Sequence, residues 1–120
     1  MSAQIDGTTW IANCMQAASW IANTLSIVAT NGTETITLGA VATELGSIDL
    51  TTGAAYASVT RLSPAATWTT AAGGGGGTLT LTRVDFQGAD GSFSFTASPA
   101  PGSAATGRKV VTNGVFSVTF

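Results

Sequence analysis

The chain has few side chains that support acid–base or nucleophilic chemistry. Histidine is absent, so neither a Ser-His-Asp nor a Cys-His arrangement can be built. The carboxylates that remain are Asp6, Glu34, Glu44, Asp49, Asp85 and Asp90. Asp6 and Asp90 directly precede glycine, where the hydrogen bonds of a turn explain an aspartate. No pair stands in a sequence setting typical of a general acid and base, so the sequence predicts a protein that is not an enzyme.

Metal and cofactor sites lack their usual ligands. The single cysteine, Cys14, allows neither an internal disulfide nor a Cys-rich metal site. Zinc and copper sites lose their commonest ligand with histidine, and no DxDxDG-type spacing indicates calcium. The five glycines at Gly73–Gly77 lack the Lys-Ser/Thr of a phosphate-binding loop and are typical of a flexible connection. We therefore expect no metal and no cofactor.

Aromatic side chains are the remaining candidates for contact with a ligand or partner. These are Trp10, Trp20, Tyr56 and Trp68. Exposed, such rings stack on sugars or on apolar groups of a partner; buried, they belong to the core. Trp-Ile-Ala-Asn occurs twice, at Trp10–Asn13 and Trp20–Asn23. Adjacent residues of a strand point to opposite faces, so one member of each Trp-Ile pair should face the core and the other a loop, an interface or a binding surface.

Composition narrows the class of protein. At 120 residues the chain is predicted to be one domain, residues 1–120. Charged residues make up 8 %, against about 25 % in a typical domain, which suits secreted, matrix, capsid or filament proteins. Four basic residues and a net charge of −2 argue against binding of nucleic acid or anionic lipid.

Location is an expectation drawn from the same composition. No apolar run approaches the ~18 residues of a membrane span. The start, MSAQIDGTTW, lacks the basic and apolar regions of a signal peptide. Either the protein stays inside the cell, or the sequence is a mature chain with an added Met1, and the low charge favours the second. We therefore expect an extracellular or cell-envelope protein whose export signal is absent from this chain.

A period of two, interrupted by turn residues, runs through the sequence and is the signature of strands. The predicted strands are Ser2–Asp6, Thr8–Asn13, Trp20–Thr30, Thr33–Leu38, Ser47–Leu50, Ala55–Leu62, Ala66–Thr70, Thr78–Thr82, Ser92–Thr96, Arg108–Thr112 and the closing VFSVTF. Their spacing predicts an all-β, single-domain antiparallel meander that forms a β-sandwich or a flattened β-barrel.

The connections between these strands are also predicted. Tight turns are expected at Asp6-Gly7, Asn31-Gly32 and Thr52-Gly53. Cys14–Ser19 is expected to be a bend, and Asn113-Gly114 either a second hairpin or a β-bulge. The remaining connections are a hairpin link at Asp85–Asp90 and a loop at Ser98–Gly107.

Several short motifs together resemble a known family. They are DGTTW near the start, GTLTLT and GSFSFTA in the second half, and the closing VTNGVFSVTF. This combination is similar to a family of small secreted or lipoprotein-type β domains of unknown function from environmental bacteria. The similarity is strongest at Ala3–Trp10 and Gly91–Phe120. It implies the β fold and export, and it implies no catalytic residue.

Three functional hypotheses follow. The first is a non-enzymatic extracellular or envelope-associated structural or interaction module with a protein partner, self-association included. The second is a β-barrel that binds a carbohydrate or a small hydrophobic ligand, lined by the four aromatic candidates. The third is a virion or filament subunit.

Overall fold

The structure, a computed structural model, describes residues 1–41, 45–51 and 55–120. These ranges contain eleven strands: β1 (Ser2–Ile5), β2 (Thr8–Ile11), β3 (Met15–Ile21), β4 (Thr24–Thr30), β5 (Glu34–Val41), β6 (Gly46–Asp49), β7 (Ala55–Leu62), β8 (Ala65–Thr69), β9 (Gly76–Val84), β10 (Gly88–Pro99) and β11 (Lys109–Thr119). Glu44 and the predicted turn at Thr52-Gly53 lie outside the described residues.

The strands form one strongly curled antiparallel sheet with the shape of a half-barrel, which confirms the predicted all-β antiparallel fold class. The main path runs β2-β1-β11-β10-β8-β7-β5-β4-β3. β10 holds the sheet together, because it also pairs with β9, which in turn pairs with β6.

The core follows from the alternation of side chains along each strand. In β4, Leu25, Ile27 and Ala29 are buried while the residues between them face outward. Most other strands alternate in the same way, although no residue of β3 is fully buried, and the concave side of the sheet is filled by aliphatic and aromatic side chains. Among the described residues no helix is long and apolar enough to cross a membrane.

Three predicted turns and bulges are confirmed. Asp6 and Gly7 have φ angles of 50° and 82°, as a tight hairpin between β1 and β2 requires. Asn31 Oδ1 accepts hydrogen bonds from the backbone N–H groups of Thr33 and Glu34 and closes the turn between β4 and β5. Asn113-Gly114 is a bulge, since the pairing of β11 with both β1 and β10 shifts at this point.

The predictions between residues 14 and 30 were wrong. Cys14–Ser19 is not a bend, because β3 begins at Met15. Trp20–Thr30 is not one strand either. It is divided by a two-residue turn at Ala22-Asn23, whose φ angles are 52° and 63°. Alanine is not a typical turn residue, so the sequence pattern did not predict a hairpin at Ala22-Asn23.

Strand pairing extends beyond consecutive neighbours, and part of the glycine run belongs to a strand. Consecutive strands pair in several places, but β1 pairs with β11, β5 with β7, β6 with β9 and β8 with β10. Part of Gly73–Gly77 is not a flexible connection, because β9 begins at Gly76. A Cβ atom on Gly77 would lie 2.5 Å from the Phe95 Cα atom, so glycine permits close approach of the two strands.

Candidate functional site

Two of the four aromatic candidates are core residues. Trp10 is only 2 % exposed, and its Nε1 donates a hydrogen bond to the Glu34 carbonyl oxygen at 3.1 Å. Trp68 is also 2 % exposed and lies beneath two cations, with Lys109 Nζ 4.7 Å from its ring centroid. These contacts place both rings in the packed interior, with their polar atoms satisfied.

Tyr56 lies on the outer face of the sheet. It is 45 % exposed and crosses the backbone of Gly39, its partner on β5. A groove of about 250 Å³ runs beside it, with Val41 and Thr24 in its walls. Tyr56 is therefore accessible, and it lies on the face opposite to the core.

Trp20 belongs to a cluster of three aromatic rings. Its ring centroid lies 6.3 Å from that of Phe86, in the link between β9 and β10, and 6.3 Å from that of Phe120 at the chain end. We call Trp20, Phe86 and Phe120 the aromatic cluster. Trp20 is half-buried, whereas Phe86 is 95 % exposed. Trp20 Nε1 is buried and has no hydrogen-bond partner among the described residues.

The four predicted residues do not form a common site. Within the described part of the chain no two of these four rings stack on each other, and Trp20 alone contacts other exposed aromatic rings. Their contact with a ligand stays a prediction. Phe86 and Phe120 were not predicted as contact residues. For Phe86 there was a signal, because an aromatic residue in the polar turn DFQG is not expected to belong to the core.

An ion-pair network holds the hairpin tip that presents Phe86. Arg83 Nε donates to Asp90 Oδ2 at 2.8 Å, and Arg83 Nη1 donates to Asp85 Oδ2 at 2.9 Å. Ser117 Oγ on β11 donates to Asp90 Oδ1 at 2.6 Å. The network joins β9, β10 and β11 around the base of the turn.

The turn itself is closed by the Asp85 carboxylate. Asp85 Oδ1 accepts the backbone N–H groups of Gln87 at 2.8 Å and Gly88 at 3.1 Å. The Gln87 hydrogen bond, followed by that of Arg83, lowers the pKa of Asp85. The Arg83 hydrogen bond, followed by that of Ser117, lowers the pKa of Asp90, and the two carboxylates raise the pKa of Arg83. All three groups are therefore charged at neutral pH, and their ion pairs fix the turn that carries the exposed Phe86 ring.

The outer face of β9, β10 and β11 carries a groove. Its volume is about 530 Å³. Its lining is mainly hydroxyl-bearing and small: Thr78, Thr80, Ser92, Phe93, Ser94, Asn113, Gly114 and Val115. We call this the hydroxyl groove. It offers hydrogen bonds without charge.

The described carboxylates have structural partners. Asp6 and Glu34 both approach Lys109 Nζ, at 3.6 and 3.7 Å. Asp49 accepts hydrogen bonds from Thr51, which lower its pKa. Among the described residues there is no group of three or more side chains able to hold a metal ion.

The fold and these surfaces define a small antiparallel β domain with an exposed aromatic cluster and an uncharged groove. A family model described as a domain of unknown function, DUF6252, matches residues 1–118, and the chain therefore belongs to this family. Comparisons with curated proteins and with solved structures give no match. The predicted similarity to β domains of unknown function agrees with this membership, while the secreted or lipoprotein character stays a prediction.

Proposed function

We propose that the protein is a non-enzymatic interaction module whose contact surface is the aromatic cluster. The observation that carries the proposal is Phe86, which is 95 % exposed on a hairpin tip. Large aromatic side chains dominate the energy of protein interfaces when they enter a partner's pocket. An exposed phenylalanine ring is unfavourably hydrated and adds no packing to the core. Contact with a partner would explain why a turn fixed by ion pairs presents it.

The partner we propose is a second copy of the chain. Beside the Phe86 ring lies a groove of about 190 Å³, lined by Trp20, Ala22, Asn23 and Phe86 itself. A symmetric dimer uses the same patch on both subunits, and that patch must therefore carry both a projection and a recess. Here the two lie side by side, so each Phe86 would enter the recess of the other copy.

Two further features support this contact. Trp20 Nε1 is buried without an acceptor among the described residues, and a small rotation of the ring on association would let a carbonyl oxygen of the partner's hairpin supply one. The Arg83 network fixes the turn before association, which reduces the conformational entropy lost on binding. The net charge of −2 adds little repulsion between copies.

Sedimentation velocity of the purified chain, from micromolar to millimolar concentration, tests the proposal. We expect a monomer–dimer equilibrium in the wild type and a monomer for Phe86→Ser. The matched control is Leu62→Ser, which removes another exposed apolar side chain near a hairpin and should leave the dimer intact. A wild type that stays monomeric throughout, or a Phe86→Ser variant that dimerises as the wild type does, would contradict the proposal.

Electron microscopy of the concentrated protein separates the closed dimer from an open assembly. Regular filaments or shells would favour the virion or filament subunit, since head-to-tail contacts do not close. Isolated particles of dimer size agree with the proposed contact.

The proposed location is outside the cytoplasm. The charged fraction of 8 %, against about 25 % in a typical domain, supports it, because this composition suits secreted or matrix proteins. Fractionation of the source cells with an antibody against the chain should find it in the envelope or the medium. Recovery with the cytoplasmic fraction would remove this part of the proposal.

The hydroxyl groove favours one alternative, binding of a carbohydrate. Its threonine, serine and asparagine side chains match the hydroxyl groups of a sugar chain, and Val115 offers an apolar edge. Amide NMR shifts at Gly114 during titration with a panel of neutral glycans test it. Saturable shifts that disappear in Ser94→Val would support the alternative, and unchanged spectra across the panel would remove it.

A further inference from the structure

A row of three residues crosses the outer face of the sheet beyond the hydroxyl groove. Thr96 pairs with Gly76, and Ala97 pairs with Lys109. Continuing both registers brings Gly74, Ser98 and Arg108 opposite one another. Their positions agree with this, because a Cβ atom on Gly74 would lie 2.8 Å from Arg108 Nη2 and 3.5 Å from Ser98 Oγ.

Ser98 carries a buried hydroxyl group without a partner. The residue is 5 % exposed, and its Oγ has no hydrogen bond among the described residues. A buried hydroxyl group left unpaired costs free energy, so such groups are rare in folded proteins and call for an explanation. The Oγ atom lies beside the flexible Arg108 guanidinium, 3.5 Å from where a Cβ atom of Gly74 would be, and a ligand would reach it when that side chain moves aside.

Among the described cationic side chains, Arg108 has neither a carboxylate nor a hydrogen-bond partner, whereas Arg61, which also lacks a carboxylate, donates to the Pro64 carbonyl oxygen. Arg83 pairs with Asp85 and Asp90, and Lys109 pairs with Asp6 and Glu34. In the described ranges no carboxylate lies within 4.0 Å of the Arg108 guanidinium. The side chain is exposed and directed over Gly74. An unpaired guanidinium beside a free hydroxyl group is the donor set that binds oxyanions, often through two parallel hydrogen bonds.

Gly74 leaves room for the Arg108 guanidinium to lie beside Ser98. Its φ angle of +85° belongs to the left-handed region, which favours glycine. Any side chain here would meet the Arg108 guanidinium. Glycine therefore serves both the backbone conformation and the room above it.

We infer that Arg108, Ser98 and the backbone at Gly74 form a binding site for an oxyanion: a carboxylate, phosphate or sulfate group. Arg108 supplies the charge, and Ser98 Oγ–H donates a second hydrogen bond. A groove of about 270 Å³ lies two residues further along the same strands, with Gly76, Thr96 and Val110 in its lining. The groove has room for the body of a molecule that carries the anionic group at one end. This site is independent of the aromatic cluster.

Titrations with inorganic phosphate, sulfate and acetate, each at constant ionic strength in chloride, test the inference. Amide NMR shifts at Gly74–Gly77 report binding at the site. We expect saturable shifts with at least one of the three anions and an affinity at least about tenfold lower in Arg108→Gln. The control is Arg61→Gln, which removes a guanidinium already engaged with Pro64 and Trp68 and should bind as the wild type does. The anion that binds most tightly identifies the group.

Ser98→Ala adds a readout that a merely structural role would not give. Removing an unpartnered buried hydroxyl group should raise the melting temperature in chloride alone, because the desolvation cost disappears. The same change should reduce the rise in melting temperature that the preferred anion produces. Linear shifts that never saturate, or equal binding in the wild type and Arg108→Gln, would overturn the inference.

Discussion

At the scale of single residues, glycines decide where aromatic rings can lie across the sheet. Gly114 pairs with Phe93, and Gly39 pairs with Tyr56. In both pairs the ring occupies the space that a Cβ atom of the glycine would need. The two pairs differ in exposure, because Phe93 is buried in the core while Tyr56 faces solvent.

This difference predicts unequal effects of the same substitution. Gly114→Ala should reduce the free energy of unfolding by about 1–3 kcal/mol, since the buried Phe93 ring has no space into which to move. Gly39→Ala should reduce the free energy of unfolding by less than about 1 kcal/mol. The exposed Tyr56 ring can move outward, and alanine has less freedom than glycine in the unfolded chain. Urea denaturation measures both. Equal losses at the two positions would show that ring overlap is not the cause.

At the residue scale, the sequence correctly predicted that the two members of each Trp-Ile pair lie on opposite faces of the sheet. Of the first Trp-Ile pair, Trp10 is buried and Ile11 is exposed; of the second, Trp20 lies on the inner side and Ile21 outside. Alternation alone was enough to predict opposite faces, but it did not say which member of each pair faces the core. It could not show that Trp20 remains half-buried, because its neighbours Phe86 and Phe120 are distant in the sequence and meet it only in the folded sheet.

At the scale of elements, the β3–β4 hairpin turns at Ala22-Asn23, a pair that lacks the glycine typical of a two-residue turn. Ala22 has a φ angle of 52°, in the left-handed region that costs an alanine roughly 1–2 kcal/mol. Asn23, with a φ angle of 63°, tolerates the same region more easily. Tertiary pairing of the flanking strands therefore imposes this turn against local preference.

Exchanging these residues should change stability in opposite directions. Ala22→Asn should raise the free energy of unfolding by about 0.5–1 kcal/mol, because asparagine adopts the left-handed region without the freedom that glycine has in the unfolded chain. Asn23→Ala should lower it by a similar amount. Thermal and urea denaturation of the pair give the comparison. The same sign for both changes would contradict the account of the turn.

At the scale of the whole molecule, the sequence predicted strands better than their partners. Hairpins with Asp-Gly or Asn-Gly turns were found because the signal is local. The pairing of β1 with β11, and of β6 with β9, joins segments far apart in the chain, and no short-range pattern encodes it. The residues of the aromatic cluster could not be grouped for the same reason, since Phe86 and Trp20 lie 66 positions apart. The proximity of Ser98 to Gly74 likewise arises only when β9 and β10 pair.

The molecule as a whole should lose stability in acid through a few identified carboxylates. Asp85 and Asp90 have lowered pKa values in the folded state because they accept hydrogen bonds from Arg83 and from the turn or Ser117. A group with a lowered pKa contributes stability that is complete above its unfolded value, about 3.9, and is lost as the pH falls through the folded value. The melting temperature should therefore be nearly constant from about pH 7 to pH 5 and fall below about pH 4.

Asp90→Asn tests which contacts produce that fall. The variant lacks the titrating group that joins β9 to β11 through Arg83 and Ser117, so its melting temperature should be lower at neutral pH and should decline less steeply in acid. Ser117→Ala serves as the matched control, because it removes one hydrogen bond to Asp90 and leaves every charge in place. Its acid decline should lie between those of the wild type and Asp90→Asn. If Asp90→Asn declines as steeply as the wild type, the acid sensitivity belongs to other groups, and the Arg83 network does not hold the three strands together.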